Sequence, residues 1–260
     1  MRALWTGSLS FGLINIPIRL YSATQDNSLN FDMLHKKDLS PIRYARICKL
    51  DGKEIPYQDI VKGYQYEKGD YVVLVEEDFN RANLKKTKLI EIVNFVEEKE
   101  IDPIFYEKPY YLEPGKGAEK AYVLLRESLK KSKKVAIGRF VFHHREHIAA
   151  IKPYENILML DQLRFDSEIK KAVDLQIPEN IKTTKQEIEM ALLLIEKLTT
   201  HFHPEKYHDT YIEALQQIIK EKAKGKKPRA RKNEKVKETS AKNIVQLLKK
   251  SLETHYRKTA

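Results

Sequence analysis

The amino-acid sequence predicts an α+β protein in which an antiparallel β-barrel core carries a helical arm and a flexible basic C-terminal tail. Seven or eight short segments before residue 166 have strand patterns, and only one amphipathic helix interrupts them. Such a series of closely spaced strands is typical of a barrel and not of a parallel α/β sheet. From residue 183 the apolar spacing becomes helical. We therefore expect a core (1–182), a helical arm (183–222) and a tail (223–260).

The opening segment, residues 2–21, has the strongest strand pattern in the chain. Its apolar side chains change phase just after Gly12. They are Leu9, Phe11 and Leu13, followed by Ile14, Ile16, Ile18 and Leu20. Alternation with period two indicates one buried face, and a glycine at a phase change favours a bulge or sharp bend. We expect one long bent strand of a barrel or wrapped sheet; an ordinary sandwich strand is the alternative.

Further strands and one helix are expected along the core. Residues 41–47 alternate apolar side chains with Arg43 and Arg46, which predicts a strand with arginines on its solvent side. Asp51-Gly52 follows as a hairpin turn. Helical spacing predicts an amphipathic helix over 118–132 that packs on the sheet. The other predicted strands are 71–75, 89–96, 104–112, 135–142, 146–151 and 157–165.

Two helices are expected in the arm. Thr184 and Glu187 have the spacing of a capping box, which marks a helix start. Pro204 is expected to open the second helix, because proline suits a first helical turn. The apolar faces of both helices need a partner surface, which is either the barrel or a second subunit.

A final helix is predicted beyond a flexible basic linker. Residues 225–237 have no apolar period and would not order alone, and Ser240 then provides an N-cap. The apolar stripe of this helix consists of Ile244, Leu247, Leu248 and Leu252. A short amphipathic helix with no core to join usually docks into a groove of another protein. Folding back onto the body is the alternative.

The net charge of +11 lies entirely in the tail. Residues 220–260 hold 15 Lys and Arg against 4 Asp and Glu, whereas residues 1–219 hold 33 of each kind. Within the neutral body the signs still separate, because 36–53 and 130–145 each hold six basic residues. Two basic clusters suit a polyanion partner; solvated faces spaced by chance are the alternative.

Composition also disfavours several classes of protein. The sequence has no apolar run of about eighteen residues that would span a membrane and no signal-peptide pattern. A single cysteine, Cys48, excludes an internal disulfide framework. We expect a soluble cytoplasmic protein that needs no cofactor.

Catalytic motifs are sparse. Lys49-Leu50-Asp51-Gly52 matches the K-x-D-G nucleotidyl-acceptor motif of ATP-dependent DNA ligases, but no E-G-x-x-x-K block follows it. Six histidines lack the i, i+4 pairing with a glutamate that marks a metalloprotease helix. They are His143, His144, His147, His201, His203 and His208. We predict a protein that is not an enzyme, with no catalytic residue and no metal site; nucleotidyl transfer through Lys49 is the alternative.

Short sequence blocks run in one order along nearly the whole chain. They are 2–5 (RALW), 10–17 (SFGLINIP), 54–57 (EIPY), 59–64 (DIVKGY), 101–104 (IDPI), 108–112 (KPYYL), 118–122 (AEKAY), 163–165 (LRF) and 207–211 (YHDTY). In this order they resemble the bacterial Ku proteins, the DNA end-binding factors of non-homologous end joining. Many of those proteins carry C-x-x-C-G at the position of Cys48. Here Asp51 replaces the second cysteine, which argues against zinc.

The resemblance implies a Ku-type barrel whose homodimer closes a ring around duplex DNA and is threaded from a broken end during double-strand break repair. It also implies that the last helix recruits the ATP-dependent DNA ligase D. A ring needs a cationic lining and no base readout. The expected DNA-contacting residues are Lys36, Lys37, Arg43, Arg46, Lys49, Lys53, Lys130, Lys131, Lys133, Lys134, Arg139, Arg145, Lys222, Lys224, Lys226, Lys227, Arg229, Arg231 and Lys232. A basic-tailed nucleic-acid-binding protein without end specificity is the alternative.

Overall fold

In a computed structural model of the protein, residues 1–82, 88–143, 145–178, 181–226 and 244–259 are described. The chain forms two compact units, Met1–Ala172 and Val173–Ala260. The three-part division expected at residues 183 and 223 stays a prediction. No helix in the described ranges is both long enough and apolar enough to cross a membrane.

A closed barrel of seven strands forms the centre of the first unit, as the sequence predicts. The described strands are β1 (Trp5–Phe11), β2 (Ile14–Ser22), β3 (Lys62–Glu67), β4 (Asp70–Leu74), β5 (Leu89–Glu97), β6 (Tyr106–Pro114), β7 (Lys134–Phe142), β8 (Arg145–Tyr154) and β9 (Ile157–Leu163). Around the barrel the order is β1-β2-β6-β9-β8-β7-β5. All neighbours are antiparallel except β1 and β5, whose parallel pairing closes the barrel.

The barrel interior is filled by the apolar phase of the strands. Leu9 and Ile16 are fully buried there. Helix α2 (Glu119–Ser132) packs against this core and buries Tyr122, Leu125 and Leu129. The Tyr122 hydroxyl donates to the Leu112 carbonyl and accepts from the Leu158 amide, both at 2.6 Å. The predicted helix on the sheet is confirmed, and this hydroxyl ties it to β6 and β9.

The opening segment is a hairpin, so the prediction of one long bent strand is wrong. β1 and β2 pair antiparallel from Trp5–Leu20 to Phe11–Ile14. Gly12 has φ 59°, a left-handed conformation that glycine adopts without strain. The phase change after Gly12 is therefore a two-residue turn, and not a bulge within one strand.

The connection between β2 and β5 also departs from the sequence pattern. Residues 41–47 form no strand; the described backbone there makes only isolated bridges, Leu34 with Pro41 and Ile47 with Glu54. The alternation seen in the sequence has no neighbouring strand to pair with. The structure instead has β3, which the pattern misses, paired with β4, and then the short helix α1 (Glu76–Ala82).

Three helices are described in the second unit: α3 (Lys185–Leu198), α4 (Thr210–Ala223) and α5 (Ile244–Thr259). The predicted capping box holds, because Thr184 Oγ1 accepts from the Glu187 amide and Glu187 accepts from the Thr184 amide. The prediction that Pro204 opens the next helix is wrong. Pro204 begins a single 3-10 turn, and Asp209 caps α4 by accepting from the amides of Tyr211 and Ile212. The expected cap Ser240 lies outside the described residues.

Candidate nucleic-acid interface

The connection from residue 24 to residue 82, called the insertion arm below, contains β3, β4 and α1 but no core. None of its described side chains is buried, although many are large and apolar. Tyr44, Tyr57 and Tyr64 are 87%, 76% and 65% exposed. β3 and β4 pair with each other in a separate two-stranded sheet. The insertion arm therefore exposes many apolar side chains and has little internal packing.

Six candidate DNA-contacting residues lie on the insertion arm, and all of them are exposed. Arg43 approaches Glu54 at 3.8 Å, and Lys53 approaches Asp51 at 3.6 Å. The Arg46 guanidinium lies 5.0 Å from the centroid of the Tyr57 ring. Exposed ion pairs contribute little stability, so these cations remain available for phosphate. The other members of the set are Lys36, Lys37 and Lys49.

The turn around Lys49 is well defined and confirms the predicted Asp51-Gly52 hairpin turn. The Cys48 amide donates to the Lys53 carbonyl at 2.8 Å, and the Gly52 amide donates to the Cys48 carbonyl at 3.0 Å. Asp51 accepts from the Lys53 amide at 3.2 Å, which with a bond from the Cys48 side chain holds the Asp51 pKa below its ordinary value. Lys49 is exposed on this turn. Nucleotidyl transfer needs a desolvated lysine, which the turn does not provide.

The second basic cluster is centred on the end of α2. Lys130, Lys131 and Lys133 are exposed there, and Lys133 ends the helix in a left-handed conformation, φ 54°. Lys134 begins β7 and pairs with Glu97 at 3.2 Å. The structure therefore brings these four lysines together, and one of them is already paired.

Arg139 and Arg145 extend the second cluster along the barrel wall. Arg139 is exposed in the middle of β7. Arg145 begins β8 and forms an ion pair with Glu168. A bond from the Phe165 amide, and then the bond from Arg145, hold the Glu168 pKa below its ordinary value. Arg139 lies opposite Glu91 of β5, so each of the two arginines has an acidic residue near it.

The candidates in the tail belong to the second unit, where only three of them are described. Lys222 and Lys224 lie at the end of α4 and are exposed, as is Lys226. The remaining four lie outside the described residues. They are Lys227, Arg229, Arg231 and Lys232.

The four residues of the predicted partner-docking stripe on α5 differ in exposure. Ile244 and Leu247 are 37% and 43% exposed, whereas Leu248 and Leu252 are half-buried. α5 contacts α3. On α3, part of the apolar face that was expected to need a partner surface is exposed, with Ile188 and Ile195 48% and 61% accessible.

Metal and histidine chemistry find little support among the described side chains. No group of three or more His, Cys, Asp and Glu residues there is arranged to hold a metal ion. His147 is half-buried, and burial of its ring lowers its pKa. His203 lies 3.1 Å from Glu205 beside an exposed turn. His144 lies outside the described residues.

One polar cluster in the barrel wall has no counterpart in the sequence interpretation. Lys152 lies between Glu98, at 2.6 Å, and Asp161, at 3.1 Å. Beside it the Tyr106 hydroxyl is buried without a hydrogen-bond partner. These four residues come from four separate elements, so only the fold brings them together. A buried aspartate opposite a lysine is a structural ion pair.

Comparison with known proteins identifies relatives over most of the chain. A family model for the Ku70/Ku80 beta-barrel domain matches residues 10–190. The "Non-homologous end joining protein Ku" of Opitutus terrae is 44% identical over 85% of this chain and 80% of its own length. The proteins of the same name from Bacillus subtilis and Pseudomonas aeruginosa are 40% and 39% identical. The alignments cover 87% and 96% of this chain and 73% and 88% of those proteins.

Proposed function

Because the chain belongs to the Ku family of non-homologous end joining proteins, we propose that it binds the ends of double-stranded DNA as a ring-shaped homodimer. It also recruits the ATP-dependent DNA ligase D to those ends through its terminal helix. In this proposal the protein acts at chromosomal breaks in the nucleoid, without base readout and without catalysis of its own.

The proposal rests mainly on the insertion arm, in which no described side chain is buried. A segment of this length with no buried described side chain and with exposed Tyr44, Tyr57 and Tyr64 lacks a partner surface in the single chain. Large apolar side chains left exposed in this number are expected where another surface covers them. Two copies whose arms cover each other's apolar side chains would close a loop between two barrels. That loop is the ring.

The basic cluster at residues 36–53 of the insertion arm supports DNA as the content of the ring. The six exposed cations of residues 36–53 suit phosphate oxygens, and phosphate contacts position a protein on DNA without specifying sequence. The second cluster adds Lys130, Lys131 and Lys133 on the barrel unit. Each phosphate neutralised steepens the fall of log K with log salt by about 0.9.

Two measurements test the proposal together: the mass of the protein in solution, and its binding to DNA duplexes with open or sealed ends. Light scattering should give twice the mass of the chain, and binding to a blunt duplex should exceed binding to the same duplex sealed by a hairpin at each end. Sealed ends remove the entrance to a closed ring and leave the phosphate charge almost unchanged. Equal binding to both duplexes would favour the alternative of a basic-tailed binder without end specificity.

A further inference from the structure

The terminal helix lies against α3, within the same unit of the chain. α3 and α5 contact each other directly. Among the described side chains of α5, residues 244–253, the half-buried ones are Val245, Leu248 and Leu252, spaced three and four residues apart. This spacing forms one stripe along a helix. The stripe that faces α3 therefore includes half of the predicted partner-docking set.

α3 provides an apolar surface for this contact. Its half-buried side chains include Met190, Ala191 and Leu194, again at helical spacing. A cleft of about 550 Å³ runs between the two helices. It is lined by Leu193, Glu196, Lys197, Leu252 and Glu253. Both apolar and charged side chains thus meet along the contact.

The contact leaves only part of the α5 stripe open. Ile244 and Leu247 remain more than a third exposed, so a partner could begin to engage them while α5 lies on α3. Leu248 and Leu252 cannot face α3 and a foreign groove at the same time. A short amphipathic helix docks through a whole stripe at i, i+3, i+4 and i+7, so full docking requires that α5 leave α3.

We infer that α3 holds the terminal helix in a closed, autoinhibited position, and that the ligase must displace α5 from α3 to be recruited. The inference rests on the proposed function, since it takes the ligase as the occupant of the α5 stripe. Closure is intramolecular, so it competes at a fixed effective concentration with a partner in solution. The apparent affinity of the partner is reduced by the fraction of chains that are open.

A cross-link tests the closed position directly. In a Cys48→Ser background, Lys197→Cys with Glu253→Cys places two thiols on one cleft, and a short bismaleimide should join them within one chain. The matched control is Lys185→Cys with Glu253→Cys. Lys185 is 92% exposed and lies about 18 Å along α3 from Lys197, so no cross-link within one chain is expected. If the Lys197–Glu253 pair cross-links only between chains, the closed helix does not exist.

Binding to a purified bacterial ligase D tests the inhibition. The cross-linked protein should lose ligase binding, while the same variant without cross-linker keeps it. Leu194→Lys, which opposes closure, should raise ligase affinity by about three- to tenfold and speed amide exchange in 244–259. DNA binding should not change in either case. Equal ligase affinity of the locked and free forms would overturn the inference.

A peptide of residues 240–260 separates this inference from the proposed function. If the peptide does not bind the ligase, recruitment by the terminal helix fails, and the cross-link and amide exchange still report on closure. If the peptide binds the ligase tightly and the intact chain binds equally tightly, recruitment stands and autoinhibition is refuted.

Discussion

Lys152 and Asp161 form an ion pair across neighbouring strands β8 and β9, with the Lys152 Nζ 3.1 Å from the Asp161 Oδ2. Asp161 is only 7% exposed. Burial acts to lower the pKa of Lys152, but bonds to Glu98 and Asp161 outweigh it and raise that pKa above its ordinary value. The lysine also lies over the Tyr106 ring. The Lys152 side chain thus links the surface turn Glu98–Glu100 to strand β9 of the barrel.

Removing this lysine is expected to destabilise the barrel. Lys152→Met would leave Asp161 buried without its cation, and breaking a buried pair on one side costs about 3 kcal/mol of unfolding free energy. Urea unfolding measures the change. Lys99→Met is the matched control, because Lys99 is 81% exposed and pairs with Glu97 at the surface. Equal shifts of both midpoints would contradict a structural role for the Lys152 pair.

Arg43 and Arg46 are expected to contact phosphate. Replacing both by Gln should flatten the slope of log K against log salt by about 1.8, which is two phosphate contacts, and should keep the preference for ends. Fluorescence anisotropy over a salt series measures the slope. The matched control is Lys116→Gln with Lys120→Gln, two exposed cations outside the candidate set. If the control flattens the slope equally, the arginines have no special position.

Truncation separates the tail from the ring. Deletion of 223–260 removes most of the positive net charge, so binding should weaken and the salt slope should flatten because fewer counterions are released. Preference for linear DNA should survive, since topology and not charge selects ends. Loss of that preference in the truncated chain would assign end recognition to the tail.

The terminal helix is expected to act on the ligase alone. Leu247→Asp with Leu248→Asp places two charges on the docking stripe, so stimulation of ligase D should be abolished because a buried carboxylate has no partner there. DNA binding by the same variant, measured in parallel, should be unchanged. If both activities fall equally, the division of labour between barrel and tail is refuted.

The barrel could be predicted from the sequence because its strands carry a strong period-two signal. Leu9, Ile16 and Ile18 are fully buried, as their alternation indicates. The turn at Gly12 was open to two interpretations, since a bulge and a two-residue hairpin both shift the phase by one residue. Only the pairing of Phe11 with Ile14 decides between them.

Local signals could not define the insertion arm or the start of α4. Alternation at 41–47 predicts a strand only if a neighbour pairs with it along its length, and the described residues beside it form only the isolated bridges Leu34–Pro41 and Ile47–Glu54. Pro204 and Asp209 are both acceptable helix starts. In the structure the side-chain carboxylate of Asp209 caps the first backbone amides of α4. The DNA-contacting residues depend on a second subunit and a duplex, so neither the sequence nor a single chain determines them.

The measurement that tests the account most directly is a competition between linear and covalently closed circular DNA of one sequence. Labelled linear duplex is bound at moderate salt and challenged with either form, and a nicked circle serves as the control with a broken strand but no end. A threaded ring predicts that linear competitor displaces the label and that neither circle does. If all three compete alike per base pair, the protein is not a ring that enters from ends.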